Sequence, residues 1–172
     1  MLDRSGEAPP ELTAFVGASY SRLVRVLTLY SGSREVALDV AQDALVRLCR
    51  DWERVKKHDN PQAWLLQVGF NLARSGARRR AAERRALARM PTPTSTSATD
   101  TLSEVVDVRR ALAALPPRRR QVIILRYYLG YTVGETADLV GCSPNAVSSM
   151  TTRALGRLRE TLRETPETRD AT

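Results

Sequence analysis

Apolar residues along the chain recur at spacings of three and four, the period of helices that turn one face to a core. Leu12, Phe15, Val16, Tyr20, Leu23, Leu27 and Tyr30 trace one such stripe until Gly32 stops it. Ser33 is a side-chain cap for a second helix that runs to about Val55, with Ala37, Val40, Ala41, Ala44, Leu48, Trp52 and Val55 inward. A polar run from Lys56 to Asn60 follows. Asn60 as cap and Pro61 at the first helical position then open a third helix. Leu65, Val68 and Leu72 form its apolar stripe before it runs into Arg78-Arg79-Arg80.

The second half repeats the periodicity in shorter pieces. Val105, Val108, Leu112 and Leu115 mark a helix that ends at Pro116-Pro117, and Val122, Leu125 and Leu129 mark another that ends at Gly130. Thr132 and Glu135 have the spacing of a capping box, in which each side chain satisfies a free backbone amide of the other. Ala137 and Val140 face inward on the helix they open, and Gly141 suits the left-handed position after it. Ser143 and Pro144 start a last helix with Val147, Thr151, Ala154, Leu155, Leu158 and Leu162 on its packed side. No strand alternation and no repeat is present.

Between the halves, Met90 to Asp100 is Pro-, Ser- and Thr-rich and has almost nothing to bury. The fold expected is therefore all-α: two small helical domains joined by a flexible linker, the second containing a helix-turn-helix. The expected divisions are a flexible N-terminus at 1–10, a domain at 11–89, a linker at 90–103, a domain at 104–164 and a flexible tail at 165–172. A fourteen-residue tether reaches roughly 50 Å. Units this small are marginally stable alone, which favours a large partner.

Charge sharpens the picture. The 172 residues carry 27 Lys+Arg against 19 Asp+Glu, a net +8, which points to nucleic acid or an anionic membrane surface. Nearly all the cations are Arg, a bias codon usage also produces, so placement matters more than the sum. Cys49, Cys142 and His58 form no metal-binding spacing, and two unpaired thiols suit a reducing cytosol. The start of the chain has no apolar core for a signal peptide, and no apolar run approaches the roughly 20 residues of a membrane span. A cytoplasmic protein is expected. With one His, no metal set and no Gly-rich phosphate cradle, neither catalysis nor a cofactor is expected.

A short helix, a Gly-containing turn and a second helix make the helix-turn-helix arrangement, whose second helix enters the major groove. That places Asn145, Ser148, Ser149 and Thr152 at base edges, with Arg153 and Arg157 for phosphates. An ordinary helical hairpin shows the same caps. The flanking Arg118-Arg119-Arg120 and Arg153, Arg157 and Arg159 favour DNA. Outward on the second helix lie Asp39, Gln42, Asp43, Val46, Arg47 and Arg50, readable as a solvated face or as a docking face centred on Val46. The third helix turns Gln67, Asn71, Arg74 and Arg78 outward, and Arg79, Arg80, Arg84, Arg85 and Arg89 extend a one-signed field suited to phosphates. Trp64 and Phe70 are candidates either for stacking on unpaired bases or for the core.

Taken together these residues resemble the extracytoplasmic-function, or group IV, sigma factors of bacterial RNA polymerase. Asp39-Val40-Ala41-Gln42-Asp43-Ala44-Leu45-Val46-Arg47 resembles the family's clamp-binding helix, usually written DLVQETFLR. Asn60-Pro61-Gln62-Ala63-Trp64-Leu65, followed by Asn71-Leu72-Ala73, resembles its promoter-melting helix, of the form P-x-A-W-L…N-L-A. Leu115-Pro116-Pro117-Arg118-Arg119-Arg120-Gln121-Val122, with Leu125-Arg126-Tyr127-Tyr128, resembles the L-P-x-R-x-R-x-V…L-R-Y opening of its fourth region.

The resemblance implies roles. Asp39, Gln42, Asp43, Val46, Arg47 and Arg50 would dock on the beta-prime clamp of core polymerase. Lys56, Lys57, Asn60, Gln67, Asn71, Arg74, Arg78 and Arg79 would handle the minus-ten element, including an extruded base. Arg118, Arg119, Asn145, Ser148, Ser149, Thr152, Arg153 and Arg157 would serve the minus-thirty-five element. The beta flap is a second implied polymerase contact, promoter DNA and an anti-sigma factor are implied partners, and nucleoid association is implied for the holoenzyme. One departure stands out: relatives often carry Thr-Val-Lys-Ser-Arg where this chain has Ala146-Val147-Ser148-Ser149-Met150, so both usual cations are missing from the recognition helix. A helix-turn-helix regulator working without polymerase is the other reading. It would require a dimer interface or effector pocket.

Overall fold

The structure, a computed structural model, describes the backbone of residues 8–87 and 103–164 and the side chains of 8–86 and 108–163. The linker expected at 90–103 lies outside the described residues except for Ser103, which already belongs to a helix, and the expected tail at 165–172 lies wholly outside. The chain divides into two compact units, Met1–Ser95 and Thr96–Thr172. Every regular element among the described residues is helical.

In the first unit α1 spans Pro10–Ser31, α2 Arg34–Val55 and α3 Pro61–Leu87. Pro10, the last residue of the N-terminal segment expected at 1–10, opens α1, and residues 1–7 of that segment lie outside the described residues. Gly32 ends the helix at φ 77°, and its N–H donates to the Thr28 carbonyl, the left-handed stop that a Cβ would strain. Ser33 Oγ accepts from the Val36 N–H at 3.3 Å, and Asn60 Oδ1 accepts from the Ala63 N–H at 2.9 Å, so both expected caps form. The three helices pack against one another. The buried stripe of α2 is Ala37, Val40, Ala41, Ala44, Leu48, Trp52 and Val55, residue for residue as its period requires.

The face of α3 differs from expectation. Leu65, Leu66, Gly69, Phe70 and Ala73 are buried, whereas Val68 and Leu72 are half-buried. The buried arc lies roughly 100° around the helix from the one drawn through Leu65, Val68 and Leu72. The physical reason is that α3 fills the groove between α1 and α2, which selects a small residue at the closest approach. A Cβ on Gly69 would sit 3.3 Å from the side chains of both Leu23 and Leu27. Phe70 is 2% exposed and meets Tyr30 edge-on at 5.0 Å between centroids, which removes it as a base-stacking residue.

In the second unit α4 spans Ser103–Ala113, α5 Pro117–Ile123, α6 Val133–Val140 and α7 Pro144–Glu164. Leu112, Leu115, Val122, Leu125, Val147 and Ala154 are buried, but Val108, expected inward, is exposed. The helix expected to run unbroken to Leu129 instead passes from α5 into a π-helical turn at Ile124–Tyr128. Gln121, Val122 and Ile123 at the end of α5 and Ile124 and Leu125 at the start of the wider turn are buried in succession, and Tyr127 and Tyr128 are exposed. Arg126 Nη1 donates to the Tyr131 carbonyl at 2.6 Å and closes the loop around Gly130, which sits at φ 76°.

Candidate nucleic-acid and polymerase surfaces

The helix-turn-helix is built from its ends inward. Thr132 Oγ1 accepts from the Glu135 N–H at 3.2 Å, and Glu135 Oε2 accepts from the Thr132 N–H and hydroxyl at 2.7 Å each. The bond from the Thr132 N–H, reinforced by the hydroxyl, holds the Glu135 carboxyl below the usual carboxylate range. Gly141 at φ 67° ends α6, Cys142 N–H donates to the Ala137 carbonyl, and Ser143 Oγ accepts from the Ala146 N–H at 3.2 Å. Val147 and Ala154 pin α7 inward.

That packing leaves Asn145, Ser148, Ser149, Thr152, Arg153 and Arg157 exposed, while Met150 is half-buried. Thr152 Oγ1 bonds back to the Ser148 carbonyl at 3.2 Å, and Arg157 pairs with Glu160 at 3.3 Å. The tip of α7 therefore presents neutral hydrogen-bonding groups, and its cations begin a turn later. Of the preceding arginines, Arg118 is exposed and leans toward the Val140 carbonyl at 3.5 Å, and Arg119 is half-buried. Arg120 is a structural strut: Nη2 donates to the carbonyls of Ala113 at 2.6 Å and Leu115 at 3.1 Å, satisfying the end of α4. The sequence counts it among DNA-facing cations; only the tertiary arrangement distinguishes it.

On α2 the outward residues Asp39, Gln42, Asp43, Val46, Arg47 and Arg50 are all exposed. Val46, at 69%, is the one large hydrophobic residue exposed on this face, among polar side chains and the exposed Cys49. Arg50 pairs with Asp51 at 3.3 Å, at the far end of this face.

On α3, Gln67 is half-buried, Asn71 exposed, and Arg74 Nη2 donates to Asn71 Oδ1 at 2.6 Å, fixing the amide's orientation. Arg78 leans to Ser75 and Arg79 pairs with Glu83 at 3.7 Å. Asn60 is engaged as the helix cap, and Lys57 is exposed. Lys56 does not project alone: its ammonium lies 3.0 Å from Glu53 and 3.7 Å from Glu11, which together hold it above the ordinary lysine range. Nothing in the sequence signals a partner on the first helix. Trp64 is half-buried and is the aromatic left at this surface.

Among the described residues no cluster of His, Cys, Asp and Glu could hold a metal ion, and no helix is long and apolar enough to cross a membrane.

Comparison with known proteins fits this division. Sigma-70 region 2 matches residues 15–83 and Sigma-70, region 4 matches residues 106–158. The RNA polymerase sigma-E factor of Streptomyces coelicolor is 32% identical over 126 residues, covering 73% of this chain and 71% of that protein. The ECF RNA polymerase sigma factor SigM of Mycobacterium tuberculosis is 27% identical over 143 residues, covering 83% and 72%. In fold, the chain resembles the sigma factor RpoE of Bartonella quintana, solved in complex with the anti-sigma factor NepR, with a TM-score of 0.77 at 22% identity over 92% of this chain and 100% of that one. It also resembles CnrH, solved with the cytosolic domain of CnrY, with a TM-score of 0.64 at 25% identity over 90% and 89%. With both regions matched in order, the chain belongs to the extracytoplasmic-function group of RNA polymerase sigma factors.

Proposed function

We propose that this protein binds core RNA polymerase, directs it to promoters and helps open them, without catalysis of its own. The observation that carries the reading is the order of surfaces: an exposed Val46 face on α2, a basic outward face on α3, and a helix-turn-helix in the second unit. Membership of a family defined by these two regions sets aside the regulator that works without polymerase.

In this reading residues 11–89 form the polymerase and minus-ten module, 104–164 the minus-thirty-five module, and 90–103 the tether. Asp39, Gln42, Asp43, Val46, Arg47 and Arg50 dock on the beta-prime clamp, with the apolar Val46 contact desolvated at the centre of a polar rim. Asn71, held by Arg74, and half-buried Trp64 receive an unpaired base, which proteins hold by edge hydrogen bonds and stacking. Gln67, Arg78, Arg79, Lys57 and the loop to Asn60 contact the surrounding strand; Lys56 does so while tethered to Glu11 and Glu53. Asn145, Ser148, Ser149 and Thr152 read base edges upstream, with Arg118, Arg119, Arg153 and Arg157 on phosphates. The second unit also meets the beta flap. The protein works in the cytoplasm, on the nucleoid when in holoenzyme, and the complex of RpoE with the anti-sigma factor NepR supports an anti-sigma partner.

Run-off transcription with purified core polymerase and a promoter library tests this directly. Chain-dependent transcripts from a common pair of upstream elements are expected; transcripts indifferent to the chain would contradict it.

A further inference from the structure

α3 outruns its own bundle. Its 27 residues span about 40 Å, yet among the described residues the last buried one is Ala73. From Arg74 to Ala86 no side chain is fully buried: Arg74, Gly76, Arg80 and Ala81 are half-buried and the rest exposed, so more than three turns run past the buried core. The stretch holds Arg74, Arg78, Arg79, Arg80, Arg84 and Arg85 against Glu83 as its one acidic residue, with Gly76, Ala77, Ala81, Ala82 and Ala86 between them. Arginine and alanine sustain a helix by propensity once the packed half has nucleated it.

At about 100° per residue Arg74, Arg78 and Arg85 fall within about 40° of one another, Gln67 and Asn71 continue the same stripe, and Arg84 stands on its flank, about 80° from Arg74, where a long guanidinium side chain reaches a neighbouring phosphate. Arg74 to Arg85 covers about 16 Å, roughly five steps of a strand that carries one charge per 3.4 Å. We propose that this overhang lies along the backbone of double-stranded DNA in the spacer next to the minus-ten element, with Arg84 and Arg85 as phosphate contacts beyond the minus-ten residues. The proposal rests on the sigma-factor reading and extends it by a third, sequence-independent promoter contact.

Three observations select duplex over other occupants. A single strand is held by stacking, and residues 74–87 contain no aromatic side chain. A membrane surface needs an apolar face, and from Arg74 to Leu87 the only large apolar residue is Leu87 at the end. An acidic protein surface shares the charge complementarity, but the stripe is continuous with the face of Asn71 and Arg74. Its small residues also let a rigid helix approach a regular backbone closely, where guanidinium groups match phosphate geometry.

The test uses holoenzyme on a promoter duplex whose spacer phosphates next to the minus-ten element are replaced by neutral methylphosphonates. The wild-type chain should lose about two units of log-affinity against log-salt slope on the neutral spacer, and Arg84→Gln/Arg85→Gln should show that lower slope already on unmodified DNA with no further loss. Arg84→Lys/Arg85→Lys should restore the slope. Equal losses in wild type and variant, or none in either, would overturn the contact. So would weaker binding of the Gln variant to core polymerase without DNA, which would assign the overhang to protein. Absence of run-off by the wild type on unmodified DNA would instead refute the sigma-factor reading itself, and this contact with it.

Discussion

The two units present opposite kinds of surface on opposite kinds of scaffold. The first has three long helices around a continuous core of aliphatic and aromatic side chains, and its third helix carries an arginine-rich outer face. The second is assembled from helices of 11, 7, 8 and 21 residues whose ends are tied by a capping box, left-handed glycines and arginine-to-carbonyl bonds. Its recognition helix begins with Pro144, Asn145, Ala146, Val147, Ser148 and Ser149, with no charge before Arg153. In the proposed reading the first unit holds DNA by charge, whose effect is strong and indifferent to sequence. The second places a few neutral groups accurately, which is what base reading requires.

Disturbing each unit where its stability resides is the strongest way to break the comparison. Phe70→Ala removes a fully packed ring against Tyr30 and should cost the first unit about 3–5 kcal/mol, read as a lower denaturation midpoint of the full chain. A loss under about 1 kcal/mol would mean the α3 core is not as continuous as described. Val46→Glu should leave helix content and melting nearly unchanged but weaken core-polymerase binding by at least about tenfold, because the residue is largely exposed to solvent in the isolated chain. Unchanged affinity would return α2's outer face to plain solvation.

In the second unit the corresponding losses are smaller and local. Thr132→Ala should cost about 1 kcal/mol, seen as faster amide exchange in α6 while the first unit is untouched. The pH dependence of the same cap is smaller still. Because folding depresses the Glu135 pKa, its stabilisation is complete above the unfolded carboxylate value and is lost as pH falls through the folded one. Acidification should therefore loosen α6 in wild type, and Glu135→Gln should remove that acid sensitivity; identical acid profiles would contradict it.

Where the sequence carries local signals, it is legible in detail. The caps at Ser33, Asn60, Thr132 and Ser143 and the α2 stripe are all read from neighbouring residues, and all form. What escapes it is set by distant partners. The rotation of α3 depends on a groove between two other helices, and the pairing of Lys56 with Glu11 joins residues 45 positions apart. The π turn has no local signature either, and it sits where a run of five successive buried residues passes from α5 into the turn. For the surfaces, exposed placement follows from periodicity. The structural use of Arg120 shows that charge alone does not mark a ligand contact.

The central claim, that electrostatic attachment resides in the first unit and base selection in the second, is tested by the salt dependence of holoenzyme binding to one promoter. Log affinity would be measured against log salt for wild type, for Arg74→Ala/Arg78→Ala and for Ser148→Ala. Each lost phosphate contact lowers the slope by about one unit, so the arginine pair should flatten it by about two and impair promoter opening. Ser148→Ala should leave the slope within a few tenths of wild type while changing which upstream sequence is preferred. A larger loss of slope from Ser148→Ala than from the arginine pair would contradict the division of labour between the two units.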